Sequence, residues 1–193
     1  LLPASEPATT ATPVNPDRLA PALPGPYAPA SIDAFKATLG RVLAYVEPAA
    51  PVRVVNRDTH EPVTDLAHLS GNVGFARTDF LITSYEWGVT YAGMLLAADA
   101  TGDARYRDYA ATHLRAIAQV AAHLQTLPPP ATEPKGPARM FALRSVLAPH
   151  TLDDSGSMCA AFIKADRAGI APAELRPWID HYMAWISHGQ FRL

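Results

Sequence analysis

The sequence is poor in cysteine and in charged residues, and it has no long apolar run. Its 193 residues include one cysteine, Cys159, which excludes an internal disulfide framework and a cysteine-based zinc site. Charged residues make up 18% of the chain and the formal net charge is -2, so we expect no nucleic-acid partner and no anionic membrane surface. No apolar run approaches the roughly 18 residues of a membrane-spanning helix. Hydrophobic residues reach 49%, which is enough for a folded core.

Proline, by contrast, is abundant at the start of the chain. Eight of the first 30 residues are proline, interleaved with alanine, threonine and serine. We predict a disordered linker over residues 1–30, because such a tract cannot form regular backbone hydrogen bonds. The tract is typical of the region that follows a secretory signal, which predicts a secreted or periplasmic protein. An ordinary ragged terminus of a cytoplasmic protein is the alternative.

Helical periodicity dominates the rest of the sequence. Apolar residues recur three and four positions apart in five segments, which are 31–47, 85–98, 106–124, 152–167 and 172–188. No segment sustains the alternation of a β-strand. We therefore predict an all-α fold of helical hairpins, arranged as an open array or as an α/α toroid.

The connections between these segments carry turn signals. Gly102 suits a left-handed helix C-cap, and Asp103 suits the N-cap of the helix that follows. Residues 52–69 mix charges with Pro62, and we interpret them as irregular. Residues 128–137 form a proline-rich loop that no helix can cross.

The first segment with chemical potential is the aromatic and glycine-rich stretch 77–94. Tyr85 and Trp87 could present flat faces on which sugar rings stack, and Gly88 and Gly93 allow close backbone approach. A tight crossing between two helices would need the same glycines. The spacing favours this packing interpretation over a ligand platform.

The second segment is residues 149–158, where Asp153 and Asp154 open a helix and His150 precedes them. Thr151 and Asp154 have the spacing of a capping box, so either carboxylate could be purely structural. Alternatively, Asp154 acts on a substrate. The positive end of the helix dipole favours its ionised form, so it would hold a substrate hydroxyl or orient water rather than donate a proton.

The remaining reactive side chains predict no metal or cofactor site. The seven histidines are scattered without metal-ligand spacing, and phosphate-loop and dinucleotide fingerprints are absent from the sequence. His181 and His188 lie seven apart beside two tryptophans, which fits a wet cavity wall or, more simply, a packed helix face. Cys159 follows Met158 on an expected buried face and is predicted to be a small core residue.

Three ordered motifs resemble a known group of enzymes. SYEWGV at 84–89, ATGDARY at 100–106 and LDDSGSM at 152–158 are similar to segments of the unsaturated glucuronyl and rhamnogalacturonyl hydrolases, glycoside hydrolase families 88 and 105. The closing segment 185–193 resembles the approach to an active-site loop in the same group. The resemblance covers residues 75–193, and LDDSGSM is its specific part.

The resemblance implies an (α/α)6 barrel, of which residues 31–193 would be the N-terminal half. It also implies a substrate, an oligosaccharide whose non-reducing uronyl sugar carries a C4=C5 double bond. These enzymes protonate C4 and add water at C5, and the resulting hemiketal opens and releases the sugar. The reaction needs no metal or organic cofactor, and it is general acid/base chemistry.

The resemblance assigns Asp154 to the first of two important aspartates, as a carboxylate near the reacting double bond. Tyr85, Trp87, Asp153 and His150 become candidate substrate-binding residues. The second aspartate, which the resemblance implies is the proton donor and acceptor, is expected beyond residue 193. We therefore predict that these 193 residues are a fragment, inactive alone and poorly stable because unpaired hairpins leave apolar faces exposed.

Two other functions remain open. One is a noncatalytic helical scaffold or carbohydrate-binding fragment, in which Asp153 and Asp154 only cap a helix. The other is an α/α-barrel enzyme that acts on a different sugar, such as an epimerase or a conventional glycosidase, with other catalytic side chains.

Overall fold

The computed structural model describes residues 31–128 and 143–189. The predicted linker 1–30, most of the predicted loop 128–137 and the last four residues of the closing motif lie outside the described residues. The chain divides into two units between residues 35 and 36, and of the first unit only residues 31–35 are described, with the first helix beginning at Ile32.

The described residues are mostly helical, in agreement with the predicted helical class. The helices are α1 (Ile32–Ala49), α2 (Tyr85–Thr101), α3 (Ala104–Gln125), α4 (Arg144–Leu147), α5 (Leu152–Arg167) and α6 (Pro172–Ala184), and a π-helical turn (Trp185–Gly189) follows α6. Five of them match the predicted segments. The four-residue helix α4 was not predicted, because a single turn is too short to show periodicity.

A small antiparallel sheet corrects the purely helical prediction. Its strands are β1 (Val54–Asn56), β2 (Pro62–Val63) and β3 (Val73–Phe75), in the order β2-β1-β3, so the segment 52–69 is not wholly irregular. Strands of two or three residues are too short for alternation to be seen in a sequence. Long-range pairing forms them: Val54 faces Val63 on one side and Phe75 on the other.

Helices α2 and α3 form one hairpin, and α5 and α6 form another. Gly102 takes a φ of 71° and closes α2 with its N–H bonded to Ala98 O, and the Asp103 side chain accepts the Arg105 N–H at the start of α3. Both predicted caps are therefore confirmed. The short connection within each hairpin reverses the chain, so α3 runs back along α2 and α6 runs back along α5.

The two hairpins pack side by side. The Trp178 Nε1 atom of α6 donates a hydrogen bond to Ala118 O of α3 at 3.1 Å. Tyr91, Leu114, Phe162 and Tyr182 are among the largest fully buried side chains, with one or more from each of the four helices. Cys159 is buried among them, as predicted. Helix α1 contributes few residues to this core: Leu43 and Val46 are buried, but Val42 is 45% exposed.

Candidate functional site

The two predicted site segments meet at one place, where α2 and α5 begin. An oxygen of the Asp154 carboxylate (Oδ1) accepts a hydrogen bond from the Tyr85 backbone N–H at 2.8 Å, although the two residues are 69 positions apart. We call Tyr85 and Glu86 of α2, together with Asp153 and Asp154 of α5, the paired N-termini. At the other ends of these helices Asp99 lies near Arg167 around one shared cleft, so α2 and α5 are parallel.

The local sequence explains why α5 begins where it does. Thr151 has extended backbone angles, and its side chain accepts the Asp154 N–H at 3.4 Å. This is the N-cap half of the predicted capping box. The Asp154 carboxylate does not complete the box on its own helix but reaches across to α2. The N-cap residue of α2, Ser84, makes no cap hydrogen bond with its side chain. The Asp154 carboxylate therefore supplies an acceptor for a backbone N–H at the start of α2.

Gly88 brings the two helices close enough for this contact. A Cβ atom at Gly88 would lie 2.6 Å from the Ser157 carbonyl carbon and 2.7 Å from the Met158 nitrogen. The interpretation of Gly88 as a tight-crossing residue is therefore confirmed. Gly93 has no such role, because a Cβ there would meet nothing within 4 Å.

The paired N-termini carry three carboxylates around a half-exposed phenol. Tyr85 is 49% exposed, and the negative charge of Glu86 raises the pKa of its hydroxyl, with smaller contributions from Asp153 and Asp154. The Ser84 hydroxyl donates to Glu86 and lowers the pKa of that carboxyl. The Tyr85 hydroxyl is thus neutral and the Glu86 carboxylate is charged near neutral pH.

Glu86 is the member of the cluster that the sequence analysis did not single out. Its position within SYEWGV, in the first turn of α2, is the signal that could have identified it, since acidic residues are favoured at helix N-termini. Only the meeting of α2 with α5 brings Asp153 and Asp154 near Tyr85, the same residue whose hydroxyl Glu86 acts on.

Trp87 and His150 are placed differently from their neighbours in sequence. Trp87 is only 5% exposed and packs between Phe80 and Tyr91, with ring centroids 5.4 Å and 6.0 Å away. The Trp87 indole is therefore packed against other side chains of the described residues and is almost closed to solvent. The His150 ring is exposed, and its hydrogen-bond partner within residues 31–128 and 143–189 is Ala148 O at 3.3 Å.

The chemistry available at the paired N-termini is that of carboxylates and a neutral phenol. Within the described residues Asp154 has one oxygen held by Tyr85, and its other oxygen can accept a hydrogen bond from a hydroxyl group or water. The Tyr85 hydroxyl can donate as well as accept. Over the same residues, no three His, Cys, Asp or Glu side chains converge as a metal site would require.

The described residues also contain no helix with the length and apolar character to cross a bilayer. No protein-family model matches the chain, and no curated protein is significantly similar to it.

Proposed function

We propose that the chain is part of a glycoside hydrolase that removes an unsaturated uronyl sugar from the non-reducing end of an oligosaccharide. The reaction is hydration of the C4=C5 bond. The observation that supports this proposal is the contact of Asp154 with Tyr85, because it joins the LDDSGSM and SYEWGV motifs at one surface. Residues 31–193 would then supply the N-terminal half of an (α/α)6 barrel, and the parallel pairing of α2 and α5 is compatible with adjacent hairpins of such a barrel.

The proposed role of Asp154 is to hold a substrate hydroxyl or water beside the double bond. Its carboxylate is fixed by the Tyr85 N–H and lies where two helices begin. The carboxylate oxygen that Tyr85 does not hold is an acceptor for a hydroxyl group or a water molecule. Asp153 and the Tyr85 hydroxyl border the same surface and would contact the uronyl sugar.

Protonation of C4 then falls to the second carboxylate, which the resemblance places outside these 193 residues. Water adds at C5 as the proton adds at C4, and the hemiketal opens to release the sugar. The chain's own contribution is to orient the substrate and the water. The complete protein is proposed to act outside the cytoplasm, with a cytoplasmic location as the alternative.

The test uses the complete protein with unsaturated rhamnogalacturonan and glucuronyl disaccharides. Hydration removes the ultraviolet absorbance of the C4=C5 bond, and the faster substrate identifies the preferred sugar. Asp154→Asn should abolish turnover and leave the melting temperature within a few degrees. Asp180→Asn is the matched control, because it changes an exposed aspartate on α6 and should retain activity. Unchanged absorbance with both disaccharides, from a folded protein, would rule out this chemistry.

The same hydrogen bond favours a second candidate, a noncatalytic helical scaffold or carbohydrate-binding fragment. In that case Asp154 caps α2 and does nothing else. Asp154→Asn would then cost at most about 1 kcal/mol of stability and leave every sugar-dependent activity unchanged. The turnover of the Asp154→Asn variant therefore separates the two candidates.

A further inference from the structure

A second concave site lies where the last turns of α2 and α5 meet the first turn of α3. It has a volume of about 360 Å³ and shares no residue with the paired N-termini. Cavities that bind small molecules start at about 300 Å³ and combine apolar walls with a few polar groups. We call this site the basic cleft, after the charge of its main lining residues: Leu95, Leu96, Asp99, Arg107, Lys164 and Arg167.

Arg107 is held in place across the cleft. It belongs to α3, and one guanidinium nitrogen (Nη2) donates a hydrogen bond at 2.7 Å to Ala168 O, which directly follows α5. A guanidinium has five N–H donors, so this contact fixes the side chain and leaves other donors unused. Arg107 is therefore a positioned cation at one side of the cleft.

Lys164 and Arg167 supply two further cations. They lie three positions apart on α5, which places them on the same side of that helix. Within the described residues neither has a hydrogen bond or an ion pair to a carboxylate within 4.0 Å. Arg176 of α6, by contrast, is shared between Asp166 and Asp180. The charges of Lys164 and Arg167 are therefore not neutralised by a partner.

The net charge of the basic cleft is positive. Among the described residues Asp99 is the one carboxylate that borders it, against the three cations Arg107, Lys164 and Arg167. The C-terminal carbonyl groups of α2 and α5 each carry about half a negative charge, which reduces the positive excess without cancelling it. The cleft therefore attracts anions.

Leu95 and Leu96 make one wall of the cleft apolar. Leu95 is 5% exposed and Leu96 is 60% exposed, so this wall extends from the core to the surface. A small inorganic anion would leave the wall in contact with water. The hydrocarbon part of an organic anion would cover it, which is favourable.

We infer that the basic cleft binds a small organic anion, a carboxylate with a short hydrocarbon chain. The carboxylate accepts N–H groups of Arg107, Lys164 and Arg167. The hydrocarbon chain packs against Leu95 and Leu96. This inference is independent of the proposed hydrolase activity, because Arg167 lies about 20 Å along α5 from Asp154.

The test titrates sodium hexanoate into the protein and follows the methyl NMR signals of Leu95 and Leu96. We expect saturable shifts that weaken as sodium chloride is raised, because the contacts are charge-assisted. Hexylammonium chloride and 1-hexanol keep the chain without the negative charge and should give no saturable shift at the same concentrations. Sodium phosphate keeps the charge without the chain and should bind more weakly than hexanoate.

Substitutions of the exposed charges test each sign separately. Lys164→Gln and Arg167→Gln should each weaken hexanoate binding about three- to fivefold, as expected for exposed charge pairs. Asp99→Asn removes the opposing carboxylate and should strengthen binding by a similar factor. Arg41→Gln is the matched control, since it removes an exposed arginine of α1 outside the cleft, and it should bind as the wild type does.

All four substituted residues are exposed, and the hydrogen bond of Arg107 stays intact, so the circular dichroism of the variants should match that of the wild type. The inference is overturned if hexanoate fails to saturate the signals, or if hexylammonium or hexanol binds equally well. It is also overturned if Lys164→Gln and Arg167→Gln bind hexanoate as Arg41→Gln does, or if Asp99→Asn does not strengthen binding. Phosphate that binds as tightly as hexanoate would contradict the role of the apolar wall.

Discussion

The carboxylate of Asp154 caps a helix to which it does not belong. It accepts the Tyr85 N–H at 2.8 Å, while the Asp154 N–H is itself bonded to Thr151 on the Asp154 helix. One residue thus connects the beginnings of α2 and α5. A substitution at this position tests the connection between two hairpins as well as any catalytic role.

Removal of the Asp154 side chain should weaken the start of α2. We expect Asp154→Ala to lower the free energy of unfolding by about 1 kcal/mol, because the Tyr85 N–H loses its acceptor. Asp154→Asn keeps an acceptor oxygen and should cost less. Urea unfolding followed by circular dichroism measures both. Equal stability of Asp154→Ala and the wild type would contradict the capping role.

Gly88→Ala should force α2 and α5 apart. The added Cβ would lie 2.6 Å from backbone and side-chain atoms of Ser157, and backbone cannot move aside cheaply. We expect a loss of about 1–3 kcal/mol in unfolding free energy, which is typical of overpacking. Thermal and urea unfolding of the variant measure this loss.

Gly93→Ala is the control for Gly88→Ala, since both glycines lie within α2. A Cβ at Gly93 meets nothing within 4 Å, and alanine has the higher helix propensity. This variant should be as stable as the wild type or more stable by up to about 1 kcal/mol. If the two alanine variants behaved alike, the close crossing at Gly88 would be disproved.

Two buried tyrosines should respond in opposite ways to the loss of their hydroxyl groups. The Tyr91 hydroxyl donates to Ile82 O at 2.8 Å, whereas the Tyr182 hydroxyl is buried without a partner in the described residues. We expect Tyr91→Phe to cost about 1 kcal/mol, because a buried carbonyl loses its donor.

Tyr182→Phe should be neutral or stabilising, since it removes a buried polar group that gains nothing from the fold. Both tyrosines are almost fully buried, so the comparison isolates the hydrogen bond from the ring. Urea unfolding of the Tyr91→Phe and Tyr182→Phe variants measures the two changes in unfolding free energy. A larger loss for Tyr182→Phe than for Tyr91→Phe would contradict the expectation.

His113 should make the protein less stable in mild acid. Burial lowers its pKa from the ordinary value of 6.5, although the two carbonyl contacts oppose this shift. The unfolded chain then binds the proton more readily than the folded protein does. Stability is therefore full above about pH 6.5 and decreases as the pH falls below this value.

NMR titration of the His113 ring signals measures this pKa directly, and urea unfolding at pH 7.5 and 5.5 measures the consequence. We expect a midpoint below 6.5 and a lower unfolding free energy at the lower pH. A ring that titrates above 6.5 would reverse the sign and contradict the prediction.

Local sequence signals predicted the helices and their caps. The period of three to four residues marked five helices, and the conformational freedom of glycine with the capping ability of aspartate marked Gly102 and Asp103. Each of these signals acts within one or two turns of chain. The three short strands were missed because pairing between Val54 and Phe75, far apart in sequence, forms them.

The motifs by themselves indicated the candidate site residues, namely Tyr85, Trp87, His150, Asp153 and Asp154. Their arrangement was decided by tertiary structure alone. From the sequence, Asp154 could cap its own helix. Because Gly88 has no side chain, α2 can approach α5 closely, and the Asp154 carboxylate accepts the Tyr85 N–H of α2 instead. The exposure of Tyr85 and the burial of Trp87, two residues apart, also depend on which face of α2 the neighbouring hairpin covers. Periodicity is a property of one segment, whereas contact between segments depends on the packing of all of them.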